Sequence, residues 1–109
     1  MKIEITSTKD LGAVSKAVRK SQEFDQSTLG LFSGNSVNFV SQFENGKETI
    51  EIGRVLEVFE ALGIKLIMDI PEPVQDTSMH LMYKYLNKAN LWPENFSLKN
   101  HKKVIVKKL

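Results

Sequence analysis

The chain has 109 residues, 41% apolar and 26% charged, which is ordinary for one globular domain with room for an appendage. It has no cysteine, which excludes a disulfide framework and a thiolate zinc site, and no apolar run approaches the roughly 18 residues that span a membrane. The formal net charge of +2 hides an asymmetry: residues 1–98 hold ten Lys/Arg against thirteen Asp/Glu, while the tail from Lys99 to Lys108 adds five lysines and no acid.

Residues 2–6, KIEIT, alternate with Ile3 and Ile5 on one face, a short strand signal. Ser7 or Thr8 then caps a helix running to about residue 22, with Leu11, Val14, Ala17 and Val18 on one face. Residues 24–47 predict two short helices joined by a tight turn. Asp25 N-caps the first, from 26 to about 32, and Gly34 takes the turn, since only glycine enters positive φ without steric cost. Ser36 N-caps the second, over 37–44, and Asn45-Gly46 closes it. Leu29, Val40 and Phe43 can then face one core, leaving Gln26, Val37, Asn38, Ser41 and Gln42 outward. This is the helix-turn-helix layout, in which the second helix lies in the DNA major groove and the first crosses the backbone.

After a polar connection, a fourth helix over 52–62 has Ile52, Val55, Leu56, Phe59 and Leu62 at helical spacing, with Gly63 at its end. Residues 64–70, IKLIMDI, read as a second strand with Ile64, Leu66, Met68 and Ile70 on one face and Ile67 on the other. Two short strands do not make a stable sheet, and an exposed apolar strand invites aggregation. Pairing 64–70 with 2–6, and then across a two-fold axis with a second subunit, answers both and predicts a homodimer. Pro71-Glu72-Pro73 marks a boundary, giving a DNA-binding and dimerisation domain over 1–70 and an extension over 71–109. In the extension, Asp76 or Thr77 caps a fifth helix to about residue 90, with Met79, Met82, Tyr83 and Leu86 on one face. A loop with Trp92 and Phe96 follows, then the β-prone run KVIVKK at 103–108.

The outer face of the third helix supplies the candidate base contacts: Val37, Asn38, Ser41 and Gln42. Asn and Gln can bond adenine with both ends of the amide, and valine can touch a thymine methyl, each good contact giving about 1–3 kcal/mol of discrimination. The plainer alternative is a solvated polar face. Residues 1–98 are acidic overall, so phosphate contacts must come from a few placed groups: Gln26, Ser36 and Lys47 first, with Lys16 and Arg54 weaker. His80 and His101 stand far apart with no cysteine near, and there is no glycine-rich phosphate loop and no HExxH. A non-enzyme without metal or cofactor is therefore expected. Trp92 and Phe96 are candidate partner anchors, or else pin the extension in place. The lysine tail can touch DNA or an acidic partner, though such tails are more often only solvated. The N-terminus has no signal-peptide core and the missing thiols suit a reducing cytoplasm, where the DNA-binding reading makes the protein nucleoid-associated.

Gln26, Leu29, Gly34, Ser36, Val40, Ser41 and the run Phe43-Glu44-Asn45-Gly46-Lys47 resemble the helix-turn-helix of the XRE/Cro repressor family. More narrowly, residues 3–69 resemble HipB-type antitoxins through TSTKDLGAVSKAVRKSQEFDQSTL, then SQFENG, then VFEALGIKLIMD. The resemblance implies a mainly α, XRE/lambda-repressor-like domain with a small β element at the dimer interface. It implies a dimer on a pseudo-palindromic double-stranded operator, repression of the chain's own operon, and a HipA-like kinase toxin as partner. It further implies that Gln26 holds a phosphate and that Arg19 and Glu44 form a partly buried pair bracing the first helix against the third. Many relatives carry Gln where this chain has Val37, which changes the operator that would be read. Residues 71–109 lie outside the resemblance. Two other readings stand beside it: a protein-binding module that mainly neutralises or assembles with a toxin, and a phage-type repressor with no toxin partner.

Overall fold

The computed structural model describes residues 1–98. Five helices follow in order: α1 (Thr8–Ser21), α2 (Gln26–Ser33), α3 (Val37–Glu44), α4 (Ile52–Leu62) and α5 (Asp76–Lys88). The fold is mainly α. The chain forms two compact units, divided between Ile67 and Met68.

Local side-chain chemistry sets the helix starts. Ser7 Oγ accepts the Asp10 N–H at 3.1 Å, and the Asp10 carboxylate accepts in turn from the Thr6 N–H and hydroxyl, both at 3.0 Å. These bonds, the Thr6 N–H above all, hold the Asp10 carboxyl below its ordinary range. Asp25 Oδ1 accepts the Thr28 N–H at 2.7 Å, which likewise lowers its carboxyl. Ser36 Oγ accepts the Phe39 N–H at 3.0 Å. Between α2 and α3 the chain reverses at Gly34, φ +73°, where a Cβ would be strained. α5 differs from expectation: its N-cap is Gln75, which makes no capping bond, and Asp76 lies inside the first turn.

In the first unit α2 packs on α3 and α4, and α1 packs on α3 and α4. Leu29, Val40, Phe43, Val55, Val58, Phe59 and Leu62 form the core, with Leu11, Val18, Phe24 and Ile64 among the half-buried residues against it. α1 rests directly on the end of α3. A Cβ at Gly12 would lie 2.1 Å from the Phe43 carbonyl oxygen, so no larger residue fits without moving a helix.

Two expectations are corrected. On α4 the buried stripe is Val55, Val58, Phe59 and Leu62, whereas Ile52 and Leu56 are 57% and 46% exposed. α4 carries apolar residues on more than one stripe, and spacing alone does not say which one meets α1 and α2. Second, the small β element is absent among the described residues: neither 2–6 nor 64–70 is a strand. A strand exists by its ladder, and neither segment finds a ladder partner among the described residues. Ile3, Leu66, Ile67 and Met68 remain exposed.

In the second unit α5 buries Met79. Tyr83 meets Trp92 edge to face at 4.9 Å, Trp92 meets Phe96 at 5.5 Å, and the indole N–H donates to the Phe96 carbonyl at 3.1 Å. The β-prone run at 103–108, His101 and the lysine tail lie outside the described residues.

Candidate nucleic-acid interface

α3 has two faces of opposite character. Val40 and Phe43 are fully buried and Glu44 is buried beside them, while Asn38 and Gln42 are exposed, Val37 is 48% exposed and Ser41 is half-buried. The helical repeat brings Val37, Asn38, Ser41 and Gln42 onto one outward surface, spaced i, i+1, i+4, i+5. Ser36 is exposed at the start of this surface and Lys47 at its end. The face thus combines two amides, two hydroxyls, one branched apolar group and one ammonium, the group types that bond base edges and phosphates.

The buried side of α3 is tied to α1 and α2 through one carboxylate. Arg19 Nε donates to Glu44 Oε2 at 2.7 Å and Nη2 donates to Glu44 Oε1 at 2.8 Å, a two-pronged ion pair with side chains only 7% and 1% exposed. The third guanidinium nitrogen, Nη1, donates to the Phe24 carbonyl at 2.8 Å. Gln26 Nε2 donates to Glu44 Oε1 at 3.1 Å. Burial pushes the Glu44 carboxyl up, but the hydrogen bonds from Arg19 and Gln26 and the charges of Arg19 and Lys16 outweigh it and leave the group below its ordinary value. Arg19 is shifted upward, chiefly by its bonds to Glu44. Glu44 is therefore a charged, fully engaged carboxylate that fixes how α3 sits on α1.

Gln26 belongs to this network as well as to the surface. It is half-buried at the first position of α2, and one amide hydrogen serves Glu44. Its nitrogen carries a second hydrogen at the N-terminus of a helix, a favourable place for an anion. Sequence reading missed the Gln26–Glu44 bond, which spans 18 positions. It also missed Asn35. This turn residue donates to the Ser33 carbonyl at 3.1 Å and accepts from Arg54 Nη1 at 3.0 Å, while Arg54 Nε pairs with Glu51 at 2.9 Å. Arg54 is thereby directed to the turn that precedes α3. An Asn directly after the turn glycine is the one sequence signal that hinted at this.

Ile64 is half-buried against the core, and Leu66 and Met68 are 51% and 79% exposed. Trp92 and Phe96 are half-buried within the second unit, where with Met79, Met82 and Leu86 they line a hollow of about 200 Å³. Among the described residues no group of three or more His, Asp or Glu is placed to hold a metal. No helix of the described residues is long and apolar enough to cross a membrane.

Four helices packed around Leu29, Val40 and Phe43, a glycine turn, and a short helix with one buried and one polar exposed face define a helix-turn-helix protein. Comparison with known proteins agrees. The chain is 39% identical over 57 residues to the uncharacterized HTH-type transcriptional regulator y4mF of Sinorhizobium fredii (strain NBRC 101917 / NGR234), covering 52% of this chain and 75% of that one. The protein belongs to the HTH-type transcriptional regulators. Its fold is HipB-like: a chain in a HipA-HipB-O2-O3 complex and one in a HipB-O4 20mer complex each match with a TM-score of 0.60. Both are 22% identical, over 63% of this chain and 97% of theirs. No protein-family model matches the chain.

Proposed function

We propose that the protein is a sequence-specific repressor that binds double-stranded operator DNA as a homodimer, with α3 in the major groove. One observation carries this reading. The polar face of α3 is held outward by the buried Arg19–Glu44–Gln26 network on its other side. Such bracing fixes a reading helix before it meets DNA, so little ordering is left for the binding step. Val37, Asn38, Ser41 and Gln42 take the base edges; Gln26, Ser36 and Lys47 take phosphates. In the dimer, residues 64–70 pair about a two-fold axis, which covers Leu66 and Met68 and sets the two α3 helices about 34 Å apart, one turn of DNA.

The finer part of the proposal is that the chain is the antitoxin of a HipA-like kinase and represses the operon they share, acting in the cytoplasm on the nucleoid. The likeness of its fold to a chain from a HipA-HipB-O2-O3 complex supports this. In this reading the protein has no catalytic task. Residues 1–98 are acidic overall, which favours a second reading in which toxin assembly dominates and DNA binding is secondary.

Footprinting of the purified chain on the DNA upstream of its own coding sequence, joined to a pull-down from the native host, tests both parts. Two protected patches one helical turn apart and a kinase-like protein in the pull-down support the proposal. A footprint without a kinase leaves a plain repressor. A kinase with no footprint favours the assembly module.

A further inference from the structure

This inference rests on the DNA-binding reading and concerns which base Gln42 reads. α3 ends in a Schellman motif: the Lys47 N–H donates to the Gln42 carbonyl at 3.1 Å, the Gly46 N–H donates to the Phe43 carbonyl at 3.0 Å, and Gly46 has φ +82°. This backbone geometry brings the residue after the glycine alongside the residue five positions earlier. Here those two are Lys47 and Gln42, and the Lys47 ammonium donates to Gln42 Oε1 at 3.3 Å. The side-chain contact follows from how the helix ends, so it is more than a chance meeting of two surface groups.

An ammonium has three donors and no acceptor, so only the carbonyl end of the amide can face it. The Nε2 end of Gln42 is thereby turned away from Lys47. A glutamine that reads adenine uses both ends, accepting from N6–H through Oε1 and donating to N7 through Nε2. Oε1 keeps a second lone pair, but an adenine amino group that used it would lie beside the ammonium, donor against donor. Guanine presents two acceptors, O6 and N7, and Gln42 Nε2 with Lys47 Nζ presents two donors. In water an exposed bond of this kind is weak. Docked against a groove, out of water, it strengthens. We propose that Lys47, in place of the phosphate contact given it above, orients the Gln42 amide and adds its own donor, so that the pair recognises guanine rather than adenine.

The test is selection of bound duplexes from a randomised double-stranded DNA library by the full chain, with sequencing of the bound fraction. Wild type is compared with Gln42→Ala, Lys47→Met and Lys47→Arg. The base pair whose preference vanishes in Gln42→Ala is the one that Gln42 reads. Wild type is expected to favour guanine over adenine there by about tenfold, the scale of one good base contact. In Lys47→Met that ratio falls about tenfold while preferences elsewhere in the site stay as in wild type, which also shows that the variant is folded. Lys47→Arg restores guanine. A wild-type preference for adenine overturns the proposal. So does a Lys47→Met variant that binds every sequence equally less well with its base preferences intact, the behaviour of a simple phosphate contact. If wild type enriches no duplex at all, the DNA-binding reading itself fails and the inference goes with it.

Discussion

Replacing Arg19 by Met keeps most of the stem that packs beside α3 and removes the guanidinium. Three hydrogen bonds are lost, two to Glu44 and one to the Phe24 carbonyl, and Glu44 is left buried with only Gln26 as a bonding partner. Breaking a buried pair from one side costs about 3–5 kcal/mol. Taking 3 kcal/mol, the midpoint of thermal unfolding falls by about 12–24 °C in a domain of this size. The loss depends on pH with a definite sign. In wild type the Glu44 carboxyl lies below 4.5, so its contribution is present above that pH and fades as pH falls through the lowered value. In Arg19→Met the bond and charge of Arg19 no longer lower the carboxyl while burial still raises it, so the group protonates at a higher pH than in wild type and the variant sheds its cost as it does. The gap between the two proteins therefore narrows as pH falls through this range. Asp10 and Asp25 are common to both and cancel in the difference. Urea unfolding at pH 7 and pH 4 measures it, with Arg19→Met/Glu44→Leu as a control that recovers most of the loss, because an apolar pair of similar volume is often neutral. A single variant within about 0.5 kcal/mol of wild type, or a gap that ignores pH, refutes the reasoning.

Three further outcomes are expected. Gly12→Ala puts a methyl 2.1 Å from the Phe43 carbonyl oxygen, so α1 and α3 must separate, and stability measured in urea falls by about 2 kcal/mol or more. Ser36→Ala removes the cap on the Phe39 N–H and lowers stability by about 1 kcal/mol, with helix content by circular dichroism reduced only slightly. Glu23 holds φ +63° between α1 and α2, so Glu23→Gly relieves strain and raises the thermal midpoint by a few degrees, roughly 0.5–1 kcal/mol.

The helix-turn-helix was legible because its signals are local. The bonds from Asp25 to Thr28 and from Ser36 to Phe39 span three positions, and the reversal at Gly34 depends on one residue's φ. α5 was placed by its apolar spacing, but its cap was not, since Gln75 makes no capping bond and leaves no signature. The buried stripe of α4 depends on which neighbours it meets, and Val58 in place of Leu56 reports that choice. No strand forms among the described residues for a similar reason: alternation in residues 64–70 describes a surface, whereas a strand needs a second segment. At the candidate interface the residue types on α3 could be read from sequence, but their connections could not. Gln26 to Glu44 and Asn35 to Arg54 lie 18 and 19 positions apart, beyond any periodicity. The Lys47–Gln42 contact lies between these cases, since an Asn-Gly-Lys run closing a helix announces the motif that creates it.

The most direct measurement compares binding of wild type, Asn38→Ala and Gln42→Ala to the footprinted duplex and to a scrambled duplex of equal length, at one fixed salt concentration. The account predicts that each substitution weakens binding to the footprinted duplex about tenfold and changes binding to the scrambled one by less than about twofold. Equal losses on both duplexes, or no loss on either, would contradict the claim that the outer face of α3 reads bases.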